Sequence, residues 1–420
     1  MARIISTVLG AIYMITLVCC MKGNTSQAQP DPIERARALH KRFPLIDGHN
    51  DLPWALRQKY DRDLSRIDLA QPQPQLMTDI LRLREGGVGG QFWSVYVPAT
   101  MQGKEAVRAT LEQIDTVYRL ARLYPDAFEI AFTAQDVERI FRSGKVASLI
   151  GLEGGHSIDS SLAALRMFHQ LGARYMTLTH SLNVPWADSA TDTSQVNGLS
   201  GFGKHVVREM NWLGMLVDLS HVSPAAMNAA LDTVRAPVIF SHSSAKAICD
   251  SPRNVPDEVL KRLPANGGLV MVSFVPGFTS QAVMDHERRR DEESKRLRAV
   301  PRSSDKSVLQ GLAEWDRLNP APRAGIAQVA DHIDHIRKIA GIDHIGIGSD
   351  FDGISSTPAG LEDVAKFPAL TAELARRGYD DDSIGRILGG NLLRVMQHAE
   401  SVAAQMQKER GPGEARPDTP

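Results

Sequence analysis

VASLIGLEGG, residues 146–155, is the stretch that most directly indicates the fold. Its first seven residues are apolar or small and do not alternate with charged ones, as expected of a parallel strand that is buried on both faces. Glu153 and two glycines follow at once, so a carboxylate stands where the strand ends and the chain turns. Similar runs occupy residues 44–47, 90–97, 174–178, 215–219, 237–240, 268–274 and 344–348.

Amphipathic segments separate these runs, among them residues 106–123, 161–171, 224–234 and 327–340. A strand followed by a helix, repeated eight times, predicts a closed parallel barrel, the (β/α)8 or TIM-like fold of the α/β class. An open, doubly wound sheet is the alternative. No glycine-rich nucleotide-binding loop follows an early strand, which weakens that alternative. We expect one barrel domain over residues 34–400.

Two segments depart from this repeat. Residues 285–306 are dense in Arg, Glu, Asp and Lys with little apolar periodicity, and they indicate a charged insertion near 281–325, after the seventh strand. Residues 401–420 are polar and end in Gly, Pro and charged residues, which predicts a disordered tail. Because this tail has no apolar run, we expect no GPI-anchor signal in it.

The composition is that of an ordinary globular protein. The 420 residues are 43% hydrophobic and 23% charged, with a formal net charge of −1, and no basic stripe indicates nucleic-acid binding. Residues 1–28 are typical of an export signal, because Arg3 precedes an apolar run and Ser26-Gln27-Ala28 suits signal peptidase. The apolar run is shorter than the ~20 residues that span a bilayer, so we expect no permanent membrane span.

The three cysteines bear on the compartment. Cys19 and Cys20 follow the apolar run and leave a lipid-anchored form open, although Leu17 and Val18 fit a lipoprotein cleavage site poorly. Soluble export, to the periplasm or the exterior, is the favoured interpretation. Cys249 would stand alone after cleavage, so we expect no intrachain disulfide and interpret it as a small buried residue.

Residues of metal-binding types end six of the eight predicted strands. The strand ends are IDGHND (46–51), GLEGG (151–155), TLTH (177–180), DLSH (218–221), FSH (240–242) and GSDFD (348–352). In a barrel the carboxyl ends of the strands converge at one mouth, where barrel enzymes keep their sites. We therefore expect these distant residues to be neighbours.

The spacing of these residues suits two divalent ions. Because side chains alternate along a strand, His49 and Asp51 share one face and suit a first ion. His221 and His242, on adjacent strands, suit a second ion, and Glu153 can bridge the two. Five protein ligands are too many for one tetrahedral zinc, but across two ions ~3.5–4 Å apart they leave room for a bridging hydroxide. Imidazole and carboxylate ligands favour zinc, with cobalt or manganese as substitutes.

Each of these residues has a plainer interpretation when it is taken alone. A lone His-x-Asp pair is often a turn, and a lone buried histidine is usually a satisfied core residue. Five such residues at successive strand ends are hard to explain as core, so they favour a dinuclear site. We interpret His156 as a neighbour of the site or a surface residue. His332 and His335, three apart on an outer helix, are interpreted as solvated.

The strand-end motifs resemble those of the membrane (renal) dipeptidase family of zinc peptidases, within the amidohydrolase-like barrels. The matching stretches are LIDGHNDLPW (45–54), GQFWSVY (90–96), LEGGHS (152–157), LTHSLNVPWAD (178–188), VDLSHVS (217–223), FSHSSA (240–245), RNVPD (253–257) and GIGSDFDG (346–353). The likeness extends from about residue 35 to about residue 397 and so covers nearly all of the mature chain.

The resemblance implies the same five ligands, with two zinc ions per chain bridged by Glu153. It further implies that His180 contacts the carbonyl region of the substrate, Arg253 holds its carboxylate, and Asp350 shuttles the proton. The implied reaction is hydrolysis of dipeptides that have a free C-terminal carboxylate, with a hydroxide between the zinc ions as nucleophile. The family likeness also suggests a homodimer. Leu182 departs from the family, which often has Cys there, but that position has no catalytic role.

Two other functions compete with a dipeptidase. One is an amidohydrolase that acts on another small carboxylate-bearing amide or lactone, and the other is a noncatalytic metal-binding barrel. The complete ligand set argues against the noncatalytic barrel. A carboxylate clamp at Arg253 favours a carboxylate-bearing substrate in either enzyme. The plain alternative for Arg253 is an ion pair with Asp257 or Glu258 that only fixes its loop.

Overall fold

The computed structural model describes residues 31–417 and contains one sheet of parallel strands. The strands are β1 (Leu45–Asn50), β2 (Val88–Tyr96), β3 (Phe128–Ile130), β4 (Val146–Glu153), β5 (Ala173–Thr177), β6 (Leu216–Asp218), β7 (Ile239–Ser243), β8 (Leu269–Val272) and β9 (Ile345–Ile347). The proposed export signal, residues 1–28, and its two cysteines lie outside the described residues.

Eight of these strands close into a barrel. The order is β2-β1-β9-β8-β7-β6-β5-β4, and β2 pairs in turn with β4, from Gly90 opposite Ala147 to Tyr96 opposite Glu153. The remaining strand, β3, pairs only with the start of β4. All eight predicted strands are therefore present, and the (β/α)8 barrel is confirmed.

Helices flank the barrel. They are α1 (Pro32–Arg42), α2 (Leu52–Tyr60), α3 (Ile80–Gly86), α4 (Lys104–Leu123), α5 (Ala134–Arg142), α6 (Leu162–Gln170), α7 (Gly201–Leu213), α8 (Pro224–Leu231), α9 (Asp257–Leu260), α10 (Leu263–Asn266), α11 (Pro276–Thr279), α12 (Gln281–Arg298), α13 (Asp305–Leu318), α14 (Ile326–Ile339), α15 (Phe367–Arg376), α16 (Asp381–Gly385) and α17 (Asn391–Glu409). The sequence sets their ends locally. In α7, for example, the Ser200 side chain accepts from the N–H of Gly203, and Gly214 ends the helix with a left-handed φ of 79°.

The charged segment near 281–325 folds into two helices, α12 and α13, that pack against each other after β8, the seventh strand of the barrel. Arg290 pairs with Asp316 at 2.7 Å, and the Leu297 side chain packs over Gly311. Some charged side chains of this segment therefore form ion pairs between the two helices, and most of the others are exposed.

The last helix extends past the predicted domain end. α17 continues from residue 400 to Glu409, and its Ala403 and Met406 are buried. The helix therefore extends nine residues beyond the expected domain end at residue 400, because residues 401–409 carry an apolar face with helical spacing among their polar side chains. Helix α7 packs against this end of α17, where the Trp212 indole donates to the carbonyl of Arg410.

Two further predictions concern single features of the described residues. Cys249 is a buried free thiol, as the sequence indicated, and burial raises its pKa to about 11. Within residues 31–417, no helix combines the length and apolar character that a membrane crossing requires.

Candidate functional site

Glu153, the last residue of β4, lies at the centre of a group of histidines from four strand ends. Its Oε1 atom is 3.1 Å from Nε2 of His221 and 3.6 Å from Nε2 of His242. Nε2 of His180 is also 3.6 Å from Oε1, whereas Nε2 of His49 is 3.4 Å from Oε2. The fold thus brings together residues that are up to about 190 positions apart in sequence.

Two carboxylates adjoin this group on the side of β1. Asp51 follows β1 at the start of α2, and its Oδ2 atom is 3.3 Å from Nε2 of His49. Asp350 follows β9, its N–H donates to the carbonyl of His49, and its carboxylate lies within 4.8 Å of the ligand atoms of both His49 and Asp51. All five predicted metal ligands and the predicted proton shuttle therefore lie at one end of the barrel.

The histidine nitrogens at the centre are suited to a cation. Nε2 of His49 is buried without a hydrogen bond and faces one carboxylate oxygen each of Asp51 and Glu153. Burial lowers the pKa of His221 and of His242 well below the usual range, so both rings are neutral, the form that binds metal. Burial acts to lower the pKa of His49, but Tyr175, Glu153 and Asp51 outweigh burial and hold this pKa well above the usual range. The position between the two carboxylates therefore favours a positive charge, which a proton or a metal ion can supply. The donor set therefore fits divalent metal ions.

Glu153 is ionised in this setting. Burial acts to raise its pKa, but His49 and His221 outweigh burial and hold the pKa well below the usual range. The Ser94 hydroxyl donates to Oε2 at 2.9 Å and holds the carboxylate in position. Glu153 thus presents one oxygen to His49 and the other to His221, which is the arrangement a bridging ligand needs.

The backbone is strained where it delivers these side chains. His221 and Asp350 each have a φ of 71°, in the left-handed region that residues other than glycine rarely adopt. Gly353 relieves crowding beside Asp350, because a Cβ at this position would lie 2.2 Å from Oδ2 of Asp51 and 2.7 Å from Oδ1 of Asp350. Left-handed residues of this kind cluster at functional sites.

A cavity of about 310 Å³ opens above the group. Its size is at the small end of the range for ligand pockets, so it suits a small molecule. Its lining consists of metal-centre residues and a wall of larger side chains: Asp51, Trp54, Gln58, Tyr96, Glu153, His180, His221, Arg253, Phe278, Asp350, Asp352 and Gly353.

Arg253, in the loop after β7, is the cation of this cavity. It is 6% exposed, lies 5.1 Å from the centre of the Phe278 ring and has an Nη1 atom without a hydrogen-bond partner. Burial lowers its pKa to about 10, so it stays charged at neutral pH. Asp257 is instead bonded to His335 at 2.7 Å, and no carboxylate of residues 31–417 lies within 4 Å of the guanidinium. The alternative of an ion pair with Asp257 or Glu258 is therefore wrong.

His180 faces the cavity from the loop after β5. Its ring centre lies 4.2 Å from that of His221 and 5.0 Å from that of Tyr96. The side chain keeps 18% of its surface exposed, and burial lowers its pKa. His180 is therefore a neutral ring beside the central glutamate that can still reach a bound molecule.

The interpretation of His332 as a solvated residue is wrong. The side chain is fully buried, and Nδ1 accepts the backbone N–H of Ala245 at 2.9 Å. Nε2 donates to the carbonyl of Thr279 at 3.1 Å, so His332 ties α14 to the segments after β7 and β8. Helical i, i+3 spacing shows which residues share a face but not which face is buried.

The other two uncertain histidines are also paired. His156 is buried beside the site, with Nε2 3.1 Å from the carbonyl oxygen of Val97. It is thus a neighbour of the site rather than a surface residue. His335 is half-buried and bonded to Asp257, so the interpretation as a solvated residue is wrong for it as well.

Several polar side chains that support the histidines from below are not marked as site residues by the sequence pattern. The Tyr175 hydroxyl is 2.9 Å from Nδ1 of His49, and the Ser241 hydroxyl is 2.8 Å from Nδ1 of His242. Asp47 is fully buried, receives hydrogen bonds from Ser349, and has a pKa raised by burial to about 6. The sequence does contain one indication of this role for Asp47. Side chains alternate along a strand, so Asp47 lies on the same face of β1 as His49.

Histidines and carboxylates gathered at the mouth of a (β/α)8 barrel, next to a buried arginine, define the class of metal-dependent hydrolases. Comparison with known proteins gives the family. The profile of the membrane dipeptidase family, peptidase family M19, matches residues 33–410. The chain belongs to this family and is a metallo-dipeptidase.

Individual relatives agree with this assignment. Dipeptidase 3 of Rattus norvegicus is 42% identical over 374 residues, which cover 88% of this chain and 68% of the relative. Dipeptidase ataJ of Aspergillus terreus is 41% identical over 407 residues, or 90% of each chain. Among solved structures, a metallo peptidase of Rhodobacter sphaeroides, liganded with a phosphinate mimic of the dipeptide L-Ala-D-Ala, is 25% identical. It has a TM-score of 0.70 and covers 85% of this chain and 99% of its own.

Proposed function

We propose that the protein is an exported zinc dipeptidase that hydrolyses dipeptides with a free C-terminal carboxylate. The observation that carries this proposal is the buried carboxylate of Glu153, which faces His49 with one oxygen and His221 with the other. The dipeptide mimic bound by the Rhodobacter sphaeroides structure supports the substrate class. Export rests on the sequence of residues 1–28.

Two zinc positions share Glu153 in this proposal. His49 and Asp51 would hold one ion, and His221 and His242 would hold the other. When bound, the zinc pair supplies Lewis acidity that lowers the pKa of a water molecule and polarises the peptide carbonyl. Imidazole and carboxylate donors without a thiolate support zinc as the metal.

Three residues of the chain act on the substrate. Arg253 is buried and free of carboxylate partners among residues 31–417, so it binds the C-terminal carboxylate of the dipeptide. His180, at the cavity wall, donates to the carbonyl oxygen as negative charge develops on it. Asp350 accepts the proton of the attacking water and passes it to the leaving amine. A clamp at one end and the metal ligands at the other limit the length of the substrate.

The decisive experiment combines metal content and turnover. We expect purified wild type to hold two zinc ions by elemental analysis and to hydrolyse Gly-dehydroPhe, a chromogenic dipeptide analogue. Glu153→Gln should lose both ions and turnover, because one carboxylate serves both positions. Glu112→Gln, which changes a partly exposed glutamate paired with Arg57, is the matched control. Two tightly bound zinc ions and near wild-type turnover in Glu153→Gln would refute the bridge.

The same experiment separates the rival functions. A noncatalytic barrel would bind zinc and turn over no member of a dipeptide library with L,L and L,D forms. An amidohydrolase of another specificity would cleave small amides or lactones in preference to every dipeptide. The homodimer that the family likeness suggests stays a prediction, which light scattering on the purified protein would test. The lipid-anchored form through Cys19 or Cys20 also stays a prediction.

A further inference from the structure

We propose that each metal position has its own buried relay of hydrogen bonds, which fixes the ring tautomer of one histidine ligand. Tyr175 serves His49, and Ser241 with Asp218 serves His242. The inference rests on the proposed zinc site and assigns positioning roles to residues that do not face the cavity.

The first relay begins at the backbone of β1. The Tyr175 hydroxyl donates to the carbonyl of Gly48 at 3.2 Å, so its proton is used. Its oxygen is then an acceptor for Nδ1–H of His49, 2.9 Å away. With a proton held on Nδ1, Nε2 of His49 is the ring nitrogen that offers its lone pair when a metal ion binds. The relay therefore selects the tautomer that can ligate.

A glycine makes room for this tyrosine. Tyr175 lies on β5, and its ring crosses in front of β4 to reach β1. A Cβ at Gly151 would lie 2.0 Å from Cζ of Tyr175, so no other residue fits there without displacing the ring. Gly151 is two residues before Glu153 and thus points to the same face of β4. A glycine inside a strand often marks such a close approach.

The second relay begins at a buried carboxylate. Asp218 accepts the backbone N–H groups of Ser220 and Ser241 with Oδ1, and it accepts the Ser241 hydroxyl with Oδ2 at 2.5 Å. Because its proton goes to Asp218, the Ser241 oxygen is an acceptor for Nδ1–H of His242 at 2.8 Å. Nε2 of His242 is again left with its lone pair, 2.9 Å from Nε2 of His221 and 3.6 Å from Oε1 of Glu153.

The two relays share no residue. Tyr175 comes from β5 and anchors to Gly48, whereas Asp218 and Ser241 come from β6 and β7. Partners of this kind typically change metal affinity by about 10- to 100-fold when they are removed. Loss of one relay should therefore weaken one zinc ion more than the other, which a general loss of stability would not do.

The test is a zinc titration of the metal-free protein against a chelating indicator, which resolves two binding steps in wild type. Tyr175→Phe should weaken one step by about 10- to 100-fold, and Ser241→Ala should weaken the other by a similar factor. Asp51→Asn disables the position held by His49. In that background, Tyr175→Phe should leave the remaining zinc affinity unchanged, whereas Ser241→Ala should still reduce it.

Two further variants give controls. Tyr118→Phe removes a hydroxyl that bonds to the carbonyl of Leu171 at the surface, and both zinc steps should keep their wild-type affinity. Gly151→Ala should reproduce the Tyr175→Phe titration by displacing the ring. Melting curves of the metal-free variants report whether each one folds.

Each outcome separates the relays from the zinc site itself. Wild type with fewer than two zinc ions refutes the proposed function and the relays with it. Two zinc ions in wild type, with unchanged affinities in Tyr175→Phe and Ser241→Ala, refute the relays alone. If both steps weaken together and the metal-free variants melt lower, Tyr175 and Ser241 only stabilise the fold, and the positioning roles are refuted.

Discussion

Replacing Arg253 by Met should remove the preference for a free C-terminal carboxylate. Methionine keeps much of the length of the side chain and can still pack on Phe278, which lies 5.1 Å from the guanidinium. What is lost is a charge that is already desolvated, since Arg253 is 6% exposed and its Nη1 atom has no partner. The guanidinium is therefore already removed from water in the free protein, so substrate binding does not have to desolvate it.

The size of the effect follows from this burial. Truncating one partner of a buried, hydrogen-bonded charge pair typically costs about 2–5 kcal/mol. We take about 3 kcal/mol for Arg253, which corresponds to a ~150-fold change in kcat/KM. Wild type should therefore hydrolyse a dipeptide about 150-fold better than its C-terminal amide, and Arg253→Met should cleave both at similar rates. Arg253→Lys should fall between them, because an ammonium keeps the charge but not the bidentate fork.

The assay compares kcat/KM for the acid and the amide of one dipeptide, at equal zinc content in every variant. Arg235→Met is the matched control, since Arg235 is exposed and pairs with Glu409. An unchanged ratio of acid to amide in folded, metal-loaded Arg253→Met would remove Arg253 from the substrate site. A parallel loss for both substrates would mean that Arg253 only holds its loop.

Three more outcomes follow from the site and its surroundings. Asp350→Asn should keep both zinc ions and lower kcat by about 10²–10⁴-fold, because the shape stays and the base is lost; reduced zinc content would make Asp350 a ligand instead. Chelation should lower the melting temperature, because each zinc ion stabilises the folded protein by about 2.7 kcal/mol when free zinc is 100-fold above its Kd. Matching melting curves with metal shown to be absent would contradict this. Burial lowers the pKa of His332 to about 4, so its neutral ring stabilises the fold at neutral pH and this contribution falls as pH drops from about 6.5 to 4. The free energy of unfolding, measured in urea on the chelated protein, should fall between pH 7 and pH 5. This fall should be about 2 kcal/mol smaller in His332→Gln than in wild type. Equal falls in the two proteins would exclude His332 as the source.

The barrel could be predicted because its strands are buried on both faces and its polar residues stand where strands end. Continuous apolar runs such as residues 146–152 are distinct from the helical segments around them. β3 was missed because three residues are too few to show a period. The helix over residues 401–409 is not evident from the sequence, because their exposed side chains outnumber the buried Ala403 and Met406.

The centre of the site could be predicted more fully than its support. His49 stands near the end of β1 and Glu153 ends β4 before a glycine turn, and the ends of the strands converge in any barrel. Tyr175 lies in the middle of a strand, where a tyrosine is an ordinary core residue, and only the fold reveals that its hydroxyl reaches β1. His332 shows the same limit, because its partners are two backbone groups that no side-chain pattern marks.

In the proposed mechanism, the left-handed backbone at Asp350 lowers the stability of the fold while it presents the base that turnover needs. A residue other than glycine in this conformation costs on the order of 1–3 kcal/mol, and glycine would adopt it freely. Asp350→Gly should therefore give an inert protein that outlasts its parent on heating in the metal-free form. Selection for heat tolerance alone would drift toward glycine at this position, so screens for hardier variants of this enzyme need to score turnover in the same round.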